Sequence, residues 1–390
     1  MNDWHSQHYL DAGRQAGIDE ELLQRAVAAA EYTLTRPNHG PPVLTIGHLA
    51  QLCGVETGLL HAYVAREGDD PYREFTIRKR PIPGEAPRYR FIAVPEPRLL
   101  QVQTWIATEI LRQAPCHGAS KAFAPGNRLI TAAGVHCRAQ WMIKIDVRDF
   151  FESITEIDVH RVFRERGYQP LVAFELARIC TRLRDDHRHP TSFLPQRRKP
   201  KYYGGSGYSV YPRTLIGVLP QGAPTSPMLA NLAVRDLDEV LTSLASQFGL
   251  RYSRYADDLT FSTRRKSFGR ARAKDAIGQI YQALINRGLS PNRAKTAIVS
   301  PGARKIVLGL LVDGTRPRLS REFRSRLRMH LYFVAHPDHG PAQHAKMRGF
   351  ASVEGLRQHL LGLIAFAGQI DALFADWCRA EMRRANWPLT

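Results

Sequence analysis

Two aspartates stand side by side in Arg254-Tyr255-Ala256-Asp257-Asp258-Leu259-Thr260-Phe261, among apolar and aromatic residues of strand character. Adjacent carboxylates inside a strand repel one another and are costly to bury. They become tolerable at a tight turn, where both can face one bound cation. The segment therefore predicts a strand-turn-strand over 252–262. Asp146 closes the apolar run Trp141-Met142-Ile143-Lys144-Ile145-Asp146, which reads as a buried strand, and is the natural third ligand. Three hard oxygen ligands with no His or Cys nearby suit Mg²⁺, which keeps water and substrate phosphates in its shell. Two such ions about 3.5–4 Å apart could activate an attacking hydroxyl and stabilise the leaving oxygen in an in-line displacement.

The 390 residues include 55 Lys or Arg against 36 Asp or Glu, a net charge of +19. Such a balance points to a polyanionic partner. Apolar content of 44% and charged content of 23% are ordinary for a globular protein, here of two or three lobes. No apolar run approaches the ~18 residues of a membrane span, so no membrane partner is expected. The N-terminus shows no charged and apolar regions of a secretory signal. The five cysteines are scattered and form no C-x-x-C pair. A cytoplasmic location with reduced thiols is the expectation.

Along the chain, 1–68 reads as helical, with a helix over 20–33 and a helix-turn-helix-like spacing over 44–64. DNA recognition by the second helix is weighed there against a packed helical pair; the acidic Glu56 and Glu67 favour the pair. A β-hairpin with a Pro/Gly turn follows over 72–98, then a helix over 96–113. Helices are expected at 156–183, 223–244 and 271–288, and a strand at 305–312. Residues 184–214 form a loop-rich insertion in which basic residues alternate with tyrosines. It suits single-stranded nucleic acid and equally a solvated loop. Residues 320–390 are helical. The fold class is α+β, with helical lobes at either end.

Three segments occur in order: Lys144-Ile145-Asp146-Val147-Arg148-Asp149-Phe150-Phe151, Leu219-Pro220-Gln221-Gly222-Ala223-Pro224-Thr225-Ser226-Pro227, and Tyr255-Ala256-Asp257-Asp258. This set resembles the reverse transcriptases, and within them the bacterial retron-type and defence-associated group, over about residues 70–315. The resemblance implies a right-hand polymerase: an N-terminal helical extension (1–68), fingers (69–140), a palm (141–315) and a basic helical thumb (316–390). It implies that Asp146 and Asp257 bind two Mg²⁺ ions, with Asp258 supporting the site and the backbone carbonyl of Val147 as a further ligand.

Other positions follow from the same resemblance. Phe151 corresponds to the aromatic gate beneath the sugar, selecting deoxynucleotides, while Phe150 is expected in the core. Gln221 and Gly222 correspond to the loop that opens a helix against the incoming nucleotide; glycine permits close backbone approach. Lys79 and Arg90 correspond to the basic pair that grips the triphosphate. Lys295 corresponds to the lysine after the palm helix, either a proton donor to pyrophosphate or a purely electrostatic partner. Retron chains carry Asn-Ala-x-x-His before the first aspartate and Val-Thr-Gly after the palm; here stand Ala132-Ala133-Gly134-Val135-His136 and Val307-Leu308-Gly309.

The stretch 316–350 holds 8 Lys or Arg and 2 Asp or Glu. Arg321, Arg324 and Arg328 share one helical face and Phe323, Leu327 and Leu331 another, so one face could grip a duplex backbone. His187, His189, His336, His339 and His344 match no zinc spacing and read as surface or RNA-contacting residues.

The expected activity is RNA-directed DNA synthesis. The expected partners are deoxynucleotides, the DNA product and a template that is a cognate non-coding RNA, with a role in antiphage defence and an effector protein supplied from elsewhere. A maturase-like RNA-binding protein of group II intron type, with secondary polymerase activity, is the alternative. A DNA-binding regulator is the third reading, and the intact aspartate set speaks against it.

Overall fold

A computed structural model describes residues 4–78, 89–183 and 216–387. Lys79, the insertion 184–214 and with it His187 and His189 lie outside the described residues.

The organising element is β3 (Trp141–Arg148). Its Met142, Ile143, Ile145 and Val147 are all buried, so both faces are covered, as near-continuous apolar strands require. Around it an antiparallel sheet runs in the order β4 (Arg251–Tyr255), β5 (Asp258–Thr263), β3, β6 (Ser290–Pro291), with β7 (Ala297–Val299) also paired to β3. Helices α7 (Glu156–Glu165), α8 (Pro170–Cys180), α9 (Ser226–Ala233), α10 (Arg235–Phe248) and α11 (Arg270–Asn286) contribute side chains to the same core.

Three expected elements are divided. The helix over 156–183 is interrupted at Gly167, whose φ is +96°. A Cβ there would lie 2.9 Å from Thr33 Cα, so this break is where the N-terminal helices dock. The helix over 223–244 begins later and is broken at Val234 between α9 and α10. The strand over 305–312 folds back as two short strands, Ile306–Val307 and Leu310–Leu311, because Leu308 and Gly309 both take left-handed backbone (φ +50° and +79°), the geometry of a tight hairpin.

In the N-terminal region, α1 (Ser6–Gln15) and α2 (Glu20–Leu34) share a small core of Leu10, Leu23 and Val27. Helices α3 (Ile46–Cys53) and α4 (Thr57–Ala65) meet at left-handed Gly54 and bury Leu49, Ala50, Leu60 and Val64 in the main core. Their apolar faces are used for packing, in keeping with the helical-pair reading. The hairpin β1 (Tyr72–Arg78) and β2 (Tyr89–Pro95) is antiparallel and largely exposed. It leads into α5 (Pro97–Trp105), continued by a π-helical turn, Ile106–Leu111, and followed by the short α6 (Leu129–Gly134).

The C-terminal helices α12 (Arg321–Ala335), α13 (Gly340–Met347), α14 (Val353–Gly368) and α15 (Ala372–Arg384) form a second core that includes Met142 of β3. His344, expected at the surface, is buried instead. Its Nε2 lies 2.8 Å from Nδ1 of buried His330, in contact with the Phe333 ring. An imidazole pair can satisfy its own hydrogen bonds when one ring is neutral, which is why it tolerates the interior. Burial lowers both histidines, His330 to about 4.

One buried ion pair joins the elements of the sheet region. Arg254 on β4 donates from Nη2 to Asp238 Oδ2 on α10 at 2.6 Å and from Nε to Oδ1 at 2.9 Å; the side chains are 1% and 0% exposed. The Tyr252 hydroxyl donates to the same carboxylate at 2.8 Å, and Arg254 Nη1 donates to Asn231 Oδ1 on α9 at 3.1 Å. Breaking such a pair from one side strands a buried charge, at a cost of about 3–5 kcal/mol. Arg254→Met should lose about that much unfolding free energy in a urea titration, and adding Asp238→Leu should restore most of it. Equal stability of the single variant and the wild type would show that the pair is not a determinant of the fold.

Candidate active site

Strands β4 and β5 pair Tyr255 with Asp258, leaving Ala256 and Asp257 as a two-residue turn. Ala256 takes φ +54° at its first position, which makes a turn tight enough to project consecutive carboxylates. On the other side of β5 the register sets Asp258 directly opposite Asp146. The backbone N–H of Val147 donates to the Asp257 carbonyl at 3.0 Å. Residues 146, 257 and 258, far apart along the chain, thus meet at one end of the sheet.

The electrostatics of this end are unbalanced. Burial and the neighbouring charges of Asp258 and Asp146 hold the Asp257 carboxyl above its ordinary range. Asp258 is likewise raised by burial and by Asp146, against the lowering influence of Lys144. Asp146 is neutralised locally: Lys295 Nζ donates to its Oδ1 at 2.9 Å and its Oδ2 at 2.8 Å, and Asn292 Nδ2 donates to Oδ1 at 2.9 Å. The Asn292 N–H also donates to the Asp146 carbonyl at 2.7 Å. Among the described residues no three His, Cys, Asp or Glu side chains form a closed cage for an ion. The donor set is nevertheless all oxygen, crowded and short of positive charge. That fits a hard divalent cation completing its shell with water and phosphate oxygens.

The neighbouring expected residues fall into place unevenly. Phe151 is half-buried beside buried Phe150, with ring centroids 5.6 Å apart. Gln221 and Gly222 do make a close backbone approach, and its partner is the hairpin. The Ala93 N–H of β2 donates to the Gln221 carbonyl at 2.8 Å. A Cβ on Gly222 would lie 2.8 Å from both Ala93 O and Ile92 Cγ2. Gly222 also has φ +127°, so only glycine suits both demands. Arg90 is exposed on β2, in register with Ile77, and shares a face with Ile92 by strand alternation.

Of the three same-face arginines on α12, Arg321 and Arg328 are exposed, whereas Arg324 is ion-paired with Asp371 and lies 4.7 Å over the Phe374 ring. Arg328 lies over Phe374 and Trp377 at 5.5 and 5.6 Å. The face expected to meet a duplex therefore also joins α12 to α15.

Two contributors act through tertiary contacts, although one of them, His136, stands in the segment set against the retron pattern above. Asn292 sits among turn residues and its reach to Asp146 is a tertiary fact. His136, fully buried, lies 2.7 Å from both Ser253 and Ser262 hydroxyls, tying the loop before β3 to β4 and β5. Burial lowers it to about 3, so it is held neutral.

A family model described as reverse transcriptase (RNA-dependent DNA polymerase) matches residues 77–324. The retron Ec86 reverse transcriptase of Escherichia coli is 30% identical over 311 residues, which span 78% of this chain and 84% of that one. The chain belongs to the reverse transcriptase family, in its retron-type branch. The retron Mx65 reverse transcriptase of Myxococcus xanthus is 30% identical over 337 residues, covering 85% of this chain and 70% of that one. A solved telomerase from Candida albicans, in complex with a fragment of telomeric RNA, aligns with 83% of this chain and 57% of that chain. Its identity is 12% and its TM-score 0.39, too loose a likeness to carry an argument. The chain is thus an RNA-directed DNA polymerase of right-hand architecture, with no described helix long and apolar enough to cross a membrane.

Carboxyl groups held above their ordinary range contribute least to stability when ionised: stability declines as pH rises through their folded-state values. At neutral pH the reverse transcriptase therefore carries a charge penalty at this site that a divalent cation would relieve. Asp257→Asn should melt about 1–2 °C higher than wild type in chelator, the shift of roughly 1 kcal/mol in a chain of this size. Added Mg²⁺ should raise the wild-type transition more than that of the variant. Coincident melting curves under both conditions would remove charge crowding as a feature of the site.

Proposed function

We propose that this reverse transcriptase extends a primer, or an initiating hydroxyl on RNA or protein, along a cognate non-coding RNA, using two Mg²⁺ ions. The observation that carries the reading is the convergence of Asp146, Asp257 and Asp258 at the end of β3 and the β4–β5 turn. Asp146 and Asp257 would hold both ions, with the carbonyl of Val147 as a further ligand and Asp258 in support. When bound, the ions would supply activation of the attacking hydroxyl and stabilisation of charge on the leaving oxygen. The chain's own groups position and neutralise. Phe151 would lie beneath the sugar and exclude a 2′-hydroxyl. Gln221 would hydrogen-bond the nucleotide. Lys79 and Arg90, the latter on the hairpin that Gly222 docks, would grip the triphosphate. Lys295, already within reach of the site, would neutralise the departing pyrophosphate. Residues 69–140 would act as fingers, 141–315 as palm and 316–390 as thumb, with Arg321 and Arg328 the exposed members of its basic face.

A role in antiphage defence, with an effector protein supplied separately, is supported by membership of the retron-type branch. The balance of +19 supports tight hold on nucleic acid, and such binding should weaken steeply with salt.

Primer extension on an RNA template with Mg²⁺ should fall by more than about 100-fold in Asp257→Asn, beyond the ~10–100-fold cost typical of groups that only support a metal ligand. Equal incorporation by variant and wild type would end the metal-ion reading. The template is tested by sequencing nucleic acid that co-purifies with the full chain. One dominant structured RNA joined to complementary DNA is expected, and an unselective mixture of cellular RNA would refute a cognate template.

A further inference from the structure

Phe123 is placed in a way that packing alone does not explain. It forms the apex of a three-residue turn closed by the Ala124 N–H donating to the Ala122 carbonyl at 2.7 Å, with φ +64°. That backbone is a strained one for a bulky side chain. Strain of this kind persists only where the surroundings over-determine it, and it gathers at functional sites. The bulk of the ring is not consumed by a core: Phe123 is 42% exposed, although Ala122 before it is 1% exposed.

The surroundings that hold it are the buried polar network already described. Asn231 Nδ2 donates to the Ala122 carbonyl at 2.8 Å, and Asn231 Oδ1 accepts from Ser120 Oγ at 2.9 Å. The Lys121 N–H donates to the Arg254 carbonyl at 2.8 Å, two residues before the aspartate turn. The residues leading into Phe123's turn are thus anchored to α9 and β4. The exposed Phe123 ring lies 6.2 Å from Phe151 and 6.4 Å from Tyr255, centroid to centroid, tilted against each. These are contact geometries for aromatic pairs.

We propose that Phe123 is a positioning residue for sugar selection: its ring buttresses Phe151 and fixes the clearance left for a 2′-substituent. The inference rests on Phe151 being the sugar gate. It assigns to the loop 119–124, which carries no charge to bring to the metal ions apart from Lys121, a share in choosing the substrate. Phe151 is flanked by one buried and one exposed ring, so its position depends on a residue that a ligand-free core would not need.

The test is single-nucleotide extension by the full-length enzyme, comparing kcat/KM for a deoxynucleotide and its ribonucleotide counterpart. Phe151→Ala should relax the preference strongly. Phe123→Ala should relax it by about 3- to 10-fold, the scale of one aromatic contact, mainly by raising ribonucleotide efficiency. Phe123→Tyr should restore the wild-type ratio. In the double variant, Phe123→Ala should add nothing further, because its effect passes through Phe151. Melting temperatures of the Phe123 variants should stay within about 4 °C of wild type, separating selection from folding. A Phe123→Ala enzyme with unchanged preference beside a relaxed Phe151→Ala enzyme, or independent losses in the double variant, would overturn the proposal. An unrelaxed Phe151→Ala enzyme would overturn the gate itself, and the buttress with it, by a distinct pattern.

Discussion

The guanidinium of Arg254 is the point on which the sheet end depends. It is buried, so its charge had to be met, and Asp238 on α10 meets it with two short hydrogen bonds. Its remaining reach goes to Asn231 on α9, and its backbone binds the loop 119–121 on both sides. One side chain thereby sets the positions of two helices, a loop and the strand that runs into the aspartate turn. A hydrophobic residue of similar size could fill the volume, and buried ion pairs are often no more stabilising than that. What an apolar residue could not supply is direction: hydrogen bonds fix orientation where dispersion contacts leave latitude.

Direction matters because the next residues concentrate negative charge. Burial pushes Asp257 and Asp258 toward the neutral form, aided by the charge of Asp258 on Asp257 and of Asp146 on both, while Asp146 is held by Lys295 and Asn292. The ion pair at Asp146 is half exposed on the lysine side, so its contribution to stability is modest. Its consequence is a cationic group resting where cationic ligands would be recruited. The fold tolerates this site at a cost met by the buried strand β3 and its covering helices, a common division between scaffold and active centre.

The hairpin and the helical tail are joined to this centre by contacts of different kinds. The hairpin is seated by the Ala93–Gln221 backbone hydrogen bond, the bare Gly222, the Glu74–Arg182 ion pair and the Tyr72 hydroxyl accepting from Gln103. Its described residues are otherwise mostly exposed, which is the condition for an element that moves as substrate binds. The tail shares a core with Met142 of β3 and uses Arg324 and Arg328 to cover Phe374 and pair with Asp371. The same charges that read as a nucleic-acid face in sequence are partly committed to holding helices together.

The aspartates and the apolar strand before Asp146 were legible without coordinates, because paired carboxylates in a strand have few structural solutions; the Gln221-Gly222 loop was picked out only by the resemblance to reverse transcriptases. The helical pair at 46–65 and the hairpin at 72–95 were legible for a similar reason, through periodicity and turn residues. The breaks at Gly167 and Val234, the doubling back at Leu308 and the burial of His344 were not, because apolar periodicity runs through all four positions and packing, as of Gly167 on Thr33, decides them. The same holds for Asn292 on Asp146, His136 between two serines, and Phe123 against Phe151. Sequence by itself determined which groups could do chemistry, since that depends on residue type and short spacing. Tertiary structure alone decided which of them meet, since hydrogen bonds and ring contacts act over a few ångströms between residues well separated along the chain.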